Sequence, residues 1–81
     1  MFTLKFFNHY EDGSSNQDTL TCHHYSIYRR NNGTAEIVCY NEMTSTGGVC
    51  RGIMKTPKNG EFECCYIENS AGKTIDTVRG E

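Results

Sequence analysis

The chain of 81 residues has no tryptophan, a single proline, and only two leucines and two alanines. A shortage of strong helix formers argues against a helical framework. No window sets apolar residues at i, i+3, i+4 and i+7 among helix-forming neighbours. No apolar run approaches the ~20 residues a membrane-spanning helix needs. The opening MFTLKFFNHY is too short, and turns polar too soon, for a secretory signal. A basic excess is missing as well: eight Lys and Arg stand against ten Asp and Glu, a net charge of −2. That balance disfavours direct nucleic-acid binding. The expectation is a chain made and kept in the cytoplasm, with no membrane partner.

What is present is β-forming. Thr, Val, Ile, Tyr and Phe fit a pleated, half-buried surface, and they recur in short runs between turn residues. The pattern predicts an all-β fold in a single domain over residues 1–81. It takes the form of a small antiparallel sheet of about five or six strands, built from hairpins as a meander, with little or no helix. Over residues 2–8, Phe2, Leu4 and Phe6 alternate with Thr3, Lys5 and Phe7, the period of a strand. The polar stretch 11–18 reads as part of a loop over 8–18. Residues 19–31 and 34–40 flank Asn32-Gly33, a dipeptide suited to a two-residue type I′ turn because both positions take φ > 0. That turn sets Arg29 opposite Glu36, Tyr28 opposite Ile37, Ile27 opposite Val38 and Tyr25 opposite Tyr40. Residues 41–48 read as a second loop.

The runs 49–55 and 61–69 lie either side of Thr56-Pro57-Lys58-Asn59-Gly60. They read as a further hairpin, with Met54 opposite Phe62 and Val49 opposite Ile67. Ser70-Ala71-Gly72 reads as a three-residue hairpin loop with its bulge at the glycine. It leads to a last strand over 73–79, with Ile67 opposite Ile75 and Cys64 opposite Val78.

Five cysteines, an odd number, do not suggest a disulfide framework. They read as reduced, small apolar side chains on strands. A zinc site wants four ligands, commonly from closely spaced cysteine pairs. Cys64-Cys65 and His23-His24 are adjacent pairs, so their members point to opposite faces of a strand. What remains for a metal is Cys22 and His24 with one distant cysteine. No metal and no other cofactor is expected. A Cys–His nucleophilic pair drawn from His9, His23 or His24 lacks any surrounding catalytic signature. Glu61 and Glu63 share a face as solvated acids, without the apolar surroundings that acid catalysis needs. Gly47-Gly48 and Gly72-Lys73-Thr74 lack the spacing of a phosphate-binding loop. The chain is not read as an enzyme.

Tyrosines offer apolar area with a polar tip and are enriched at protein interfaces. A chain this small cannot bury both faces of one sheet without helices, so a face or an edge is left for a partner. The residues expected there are Tyr25, Tyr28, Arg29, Arg30, Glu36 and Tyr40 on the hairpin, with Glu11 and Asp12 in the first loop and Glu42 in the second. The expected partner is another protein or protein complex, and a second copy of the chain joined through edge strands is compatible with that. The alternative is a small nucleic-acid- or zinc-binding accessory module using Arg29, Arg30, Lys55 and the Cys/His groups.

The strand–turn–strand Cys65-Tyr66-Ile67-Glu68-Asn69-Ser70-Ala71-Gly72-Lys73-Thr74-Ile75 resembles those that end small, β-rich accessory proteins of bacteriophages and other mobile elements. Anti-CRISPR and other anti-defence proteins belong to that style. The resemblance implies a non-catalytic inhibitor that acts in the host cytoplasm by occupying a surface on a host complex. It also implies that Glu11, Asp12 and Asp18, or Glu36, Glu42, Glu61 and Glu63, cover a basic nucleic-acid-binding groove there.

Overall fold

Phe2, Leu4 and Phe6 give strand β1 (Phe2–His9) one strongly apolar face, and the rest of the molecule is arranged to cover it. The computed structural model describes residues 1–9, 15–41, 48–58 and 60–81, residue 9 by its backbone only. β1 is central in a four-stranded sheet of order β2-β1-β6-β7, with β2 at Ser15–Cys22, β6 at Cys64–Glu68 and β7 at Thr74–Arg79. A second sheet has the order β3-β4-β5, with β3 at His24–Arg29, β4 at Ala35–Tyr40 and β5 at Val49–Ile53. Every ladder is antiparallel; one isolated parallel bridge joins Ile53 to Phe62. The described residues contain no helix, and so none long and apolar enough to cross a membrane. The all-β, antiparallel expectation holds, but the described residues form seven strands in two sheets, not five or six in one.

Two sheets solve the burial problem of a short chain, because each needs to hide only one face. Leu4, Phe6, Cys65, Ile67 and Val78 from the first meet Ala35, Ile37, Cys39 and Ile53 from the second, with Cys22 and Phe62 in the same cluster. Leu4, Phe6, Ile37, Ile53 and Ile67 have no exposed surface. Full burial of one such side chain stabilises the fold by about 1.5–3 kcal/mol.

Several pairings depart from the sequence expectation. Of the loop expected over 8–18, residues 8 and 9 end β1 and residues 15–18 belong to β2, where Asp18 stands opposite Phe6. The apolar alternation is missing there because β2 is an edge strand, and the carboxylate of Asp18 meets Arg51 of β5 at 3.5 Å. The run 19–31 is not one strand. It bends at His23, whose N–H donates to the Tyr40 carbonyl at 2.9 Å, and the chain passes from one sheet to the other.

The β3–β4 turn has three residues instead of two. Arg30 N–H donates to the Thr34 carbonyl at 2.9 Å, and of the turn residues only Gly33 takes positive φ, at 84°. The type I′ turn is not formed, and Asn32 instead accepts the Thr34 N–H at 3.1 Å. The register is therefore one residue away from the expected one: Arg29 faces Ala35, Tyr28 faces Glu36, Ile27 faces Ile37, Tyr25 faces Cys39 and His24 faces Tyr40. The core decides this. This register puts Tyr25 and Ile27 on the same side as Ala35, Ile37 and Cys39, and the expected one, a residue away, would not.

The hairpin expected between 49–55 and 61–69 is absent. β5 pairs with β4 and β6 pairs with β1, so the intervening segment crosses between sheets. Phe62 N–H donates to the Gly52 carbonyl at 3.0 Å, and Met54 N–H donates to Phe62 at 2.9 Å. Buried Asn8 holds the crossing: its Nδ2 donates to the Glu61 carbonyl at 2.9 Å and its Oδ1 accepts from Glu63 N–H at 2.8 Å. Both amide atoms are thus satisfied, as burial requires. β1 thereby gains a partner on both sides, which local pairing of β6 with β5 in place of β1 would have denied it.

Ser70-Ala71-Gly72 forms the expected three-residue loop, with Gly72 at φ 80° and Asn69 N–H donating to the Lys73 carbonyl at 2.9 Å. A bulge beyond it moves the register by one, so that Ile67 faces Asp76 and Cys65, not Cys64, faces Val78. That choice sets Val78 in the core beside Cys65 and leaves Ile75 exposed.

Candidate functional site

Alternation along the second sheet separates its two faces. Tyr25, Ile27, Ala35, Ile37, Cys39 and Ile53 point to the core, and the residues between them point outward. The outward set is His24, Ser26 and Tyr28 from β3, Glu36, Val38 and Tyr40 from β4, and Cys50 from β5, with Arg30 reaching in from the turn. Four of the residues expected to meet a partner, Tyr28, Arg30, Glu36 and Tyr40, are therefore together. Tyr25 and Arg29 are not with them. Tyr25 packs edge-on against Phe2 at 5.1 Å, and Arg29 lies 3.9 Å from Asp76 of β7. The one-residue change of register is the cause, since it exchanges Arg29 for Arg30 as the guanidinium that reaches Glu36. Glu11, Asp12 and Glu42 lie outside the described residues.

The outer face is ordered by polar contacts. The rings of His24 and Tyr40 stack at 4.5 Å, 14° from parallel. Tyr40 is almost fully covered, and burial raises its hydroxyl above the usual phenol range, with Tyr28 and Ser26 as its hydrogen-bonding neighbours. Tyr28, by contrast, is 54% exposed. Glu36 is held from both sides: the Cys50 thiol donates to Oε1 at 2.7 Å and the Arg30 guanidinium donates to Oε2. These two contacts, the thiol first, hold its carboxyl below the usual range. Gly48 lies close against the sheet, where a Cβ would come within 2.5 Å of Val38 Cγ1.

A lowered pKa marks an activated thiol, and the five thiols are shifted the other way. Burial, then the Glu36 carboxylate, pushes Cys50 up to about 11. Burial pushes Cys39 up to about 12 and raises Cys22, Cys64 and Cys65. The bend at His23 puts Cys22 in the core and His24 on the outer face, so the trio with a distant cysteine does not assemble. Among the described residues no three His, Cys, Asp or Glu side chains converge as a metal site would need.

A second feature was not legible in the sequence. Arg29 at the end of β3 and Arg30 beside the turn come next to Arg79 at the end of β7, lining a cleft of about 380 Å³. No spacing in the sequence connects residue 30 with residue 79. Only the juxtaposition of the turn with β7, held by Glu81 N–H donating to the Gly33 carbonyl at 2.8 Å, brings them together.

Compared with protein-family models, with curated proteins and with solved structures, the chain matches none.

Proposed function

We propose that the protein is a non-enzymatic binding module that engages another protein through the outer face of the β3-β4-β5 sheet. The observation that carries this reading is Tyr28, 54% exposed on a face whose neighbours, Tyr40, His24 and Glu36, are already held in place. A large aromatic side chain in an ordered polar surround is the usual composition of an interface centre. The surround also lowers the entropy lost on docking, because the contacts are made before a partner arrives. Occupation of a surface on a host complex, the mode of the phage accessory proteins that the chain resembles, is compatible with such a face.

The test is affinity capture with wild type and Tyr28→Ala, read by mass spectrometry against matched melting curves. One protein recovered in stoichiometric amount with wild type, and lost with Tyr28→Ala at unchanged melting temperature, is the expected result. Equal recovery with both chains refutes the assignment of this face.

A further inference from the structure

An open sheet edge is a template for a further strand unless something spoils it. The edge strands here are β2 and β7 of the first sheet and β3 and β5 of the second. Three of them carry a charge in the middle of their inner face. Asp18 of β2 stands opposite Phe6, Asp76 of β7 opposite Ile67, and Arg51 of β5 opposite Ile37, each beside a fully buried residue. A strand added at such an edge would have to cover that charge, at a cost. β3 differs. Its inner residues are Tyr25, Ile27 and Arg29, and the charge stands at the last position of the strand. From His24 to Tyr28 there is no Asp, Glu, Lys or Arg, no proline and no glycine.

Two further observations concern the same edge. Tyr25 and Ile27 pack against the core but are only partly buried, whereas Ile37, opposite Ile27 on β4, has no exposed surface. The inner face is therefore incompletely covered where β3 ends the sheet. The second observation is the direction of the backbone groups. Arg30 N–H donates to the Thr34 carbonyl, which fixes the alternation of the antiparallel ladder. His24, Ser26 and Tyr28 bond to β4 in that alternation, and Tyr25 and Ile27 aim their N–H and C=O away from it. Among the described residues no strand lies there to receive them.

We propose that two copies of the chain associate through β3, the two strands pairing antiparallel about a two-fold axis at Ser26. The strand is self-complementary in that register. Tyr25 stands opposite the partner's Ile27, and these are the residues whose outward N–H and C=O groups exchange hydrogen bonds. Their side chains meet on the inner face, an aromatic against a β-branched one, and cover what the core leaves exposed. On the outer face His24 stands opposite the partner's Tyr28, and Ser26 meets its own copy. No like charges are opposed within the paired segment, whereas β2, β5 and β7 would each bring a charge to the joint. A shift of one residue would set Tyr25 and Ile27 against outer-face residues and lose the match. The product is one continuous sheet with three strands from each copy and both outer faces on the same side. The inference concerns the edge of the sheet, so it stands whether or not the outer face takes the partner proposed for it.

The experiment is sedimentation of the intact chain from about 1 µM to about 1 mM, with amide hydrogen exchange at both ends of that range. A reductant is present throughout, because Cys50 is exposed and could join two chains covalently. Reversible dimerisation is the expected result. The Tyr25 and Ile27 amides become about tenfold or more better protected at the upper concentration, and those of Ser26 and Tyr28, already bonded to β4, change less. Ser26→Lys sets two ammonium groups against each other at the axis and weakens association about fivefold or more. Gln17→Lys, exposed on the edge strand β2, leaves it unchanged. A chain that stays monomeric at the highest concentration overturns the proposal. So does a dimer whose Tyr25 and Ile27 amides exchange as they do in the monomer, or a folded Ser26→Lys chain that associates as tightly as wild type. Should Ser26→Lys not fold, the exchange of the wild-type amides decides alone.

Discussion

The inner and outer faces of the β3-β4-β5 sheet are made by the same strands, one residue apart, and they do different work. On β4, Ala35, Ile37 and Cys39 disappear into the core, while Glu36, Val38 and Tyr40 form a polar and aromatic surface tied by a thiol–carboxylate contact, an ion pair and a ring stack. The inner face is non-specific in its chemistry and demanding in its shape. The outer face is the reverse, and it carries the proposed partner contact. Stability should therefore respond to one face, and recognition to the other.

The largest expected effect is on the inner face. Ile37→Ala, at a fully buried position, should destabilise the fold by about 2–5 kcal/mol in a urea titration. Its neighbour Val38→Ala, half-buried on the outer face, should lose about 1 kcal/mol. Equal losses at the two positions would mean that the outer face is packed as a second core, and the contrast would fail.

Thiol chemistry sharpens the same contrast. Cys50 is exposed, so a thiol reagent should modify it first in the native protein, and Cys39 and Cys65 only on unfolding. With Cys50 raised to about 11, its labelling should still climb about tenfold per pH unit between pH 8 and 10. Glu36→Gln removes the carboxylate that disfavours the thiolate and should speed labelling at pH 8 several-fold. A rate that is flat over this pH range would show that the thiol is not held as described.

Acid provides a smaller effect. Glu36 has a folded pKa below its unfolded value, so its contribution is present above the unfolded value and is lost as pH falls through the folded one. The Glu36→Gln variant should therefore track wild type closely in strong acid and differ from it at neutral pH. The difference should shrink with added salt because the pair is solvent-exposed. Smallest of all is Tyr28→Ala, expected within about 0.5 kcal/mol of wild type in stability. A larger loss would assign Tyr28 to the structure instead of to a partner.

How far the sequence reveals the molecule depends on whether a signal is local. The period-2 alternation of β1 and the Ser70-Ala71-Gly72 loop were legible because neighbouring residues specify them. The β3–β4 hairpin was legible in its existence but not in its register. Asn32-Gly33 suits a two-residue turn, yet burial of Ile27 beside Ile37 outweighs that preference and draws Asn31 into a three-residue loop. The hairpin expected between residues 49 and 69 failed for the same kind of reason. Both runs are apolar enough to pair, but β4 and β1 compete for them across the molecule and offer two buried sheets in place of one. Of the candidate site, Tyr28, Glu36, Arg30 and Tyr40 were visible as residue types, whereas their company was not. A single step in register decided which of them share a face.

By itself the sequence determined that this chain would be an antiparallel β protein, because its β-branched and aromatic residues alternate and its glycines fall where turns need positive φ. Only the tertiary structure decided that there are two sheets, that Tyr25 and Arg29 turn away from the outer face, and that Arg79 joins Arg29 and Arg30 around one cleft. The reason is physical. Strand propensity and turn geometry act over a few residues, whereas the choice of partner strand is made by the burial of apolar faces that lie far apart in the chain.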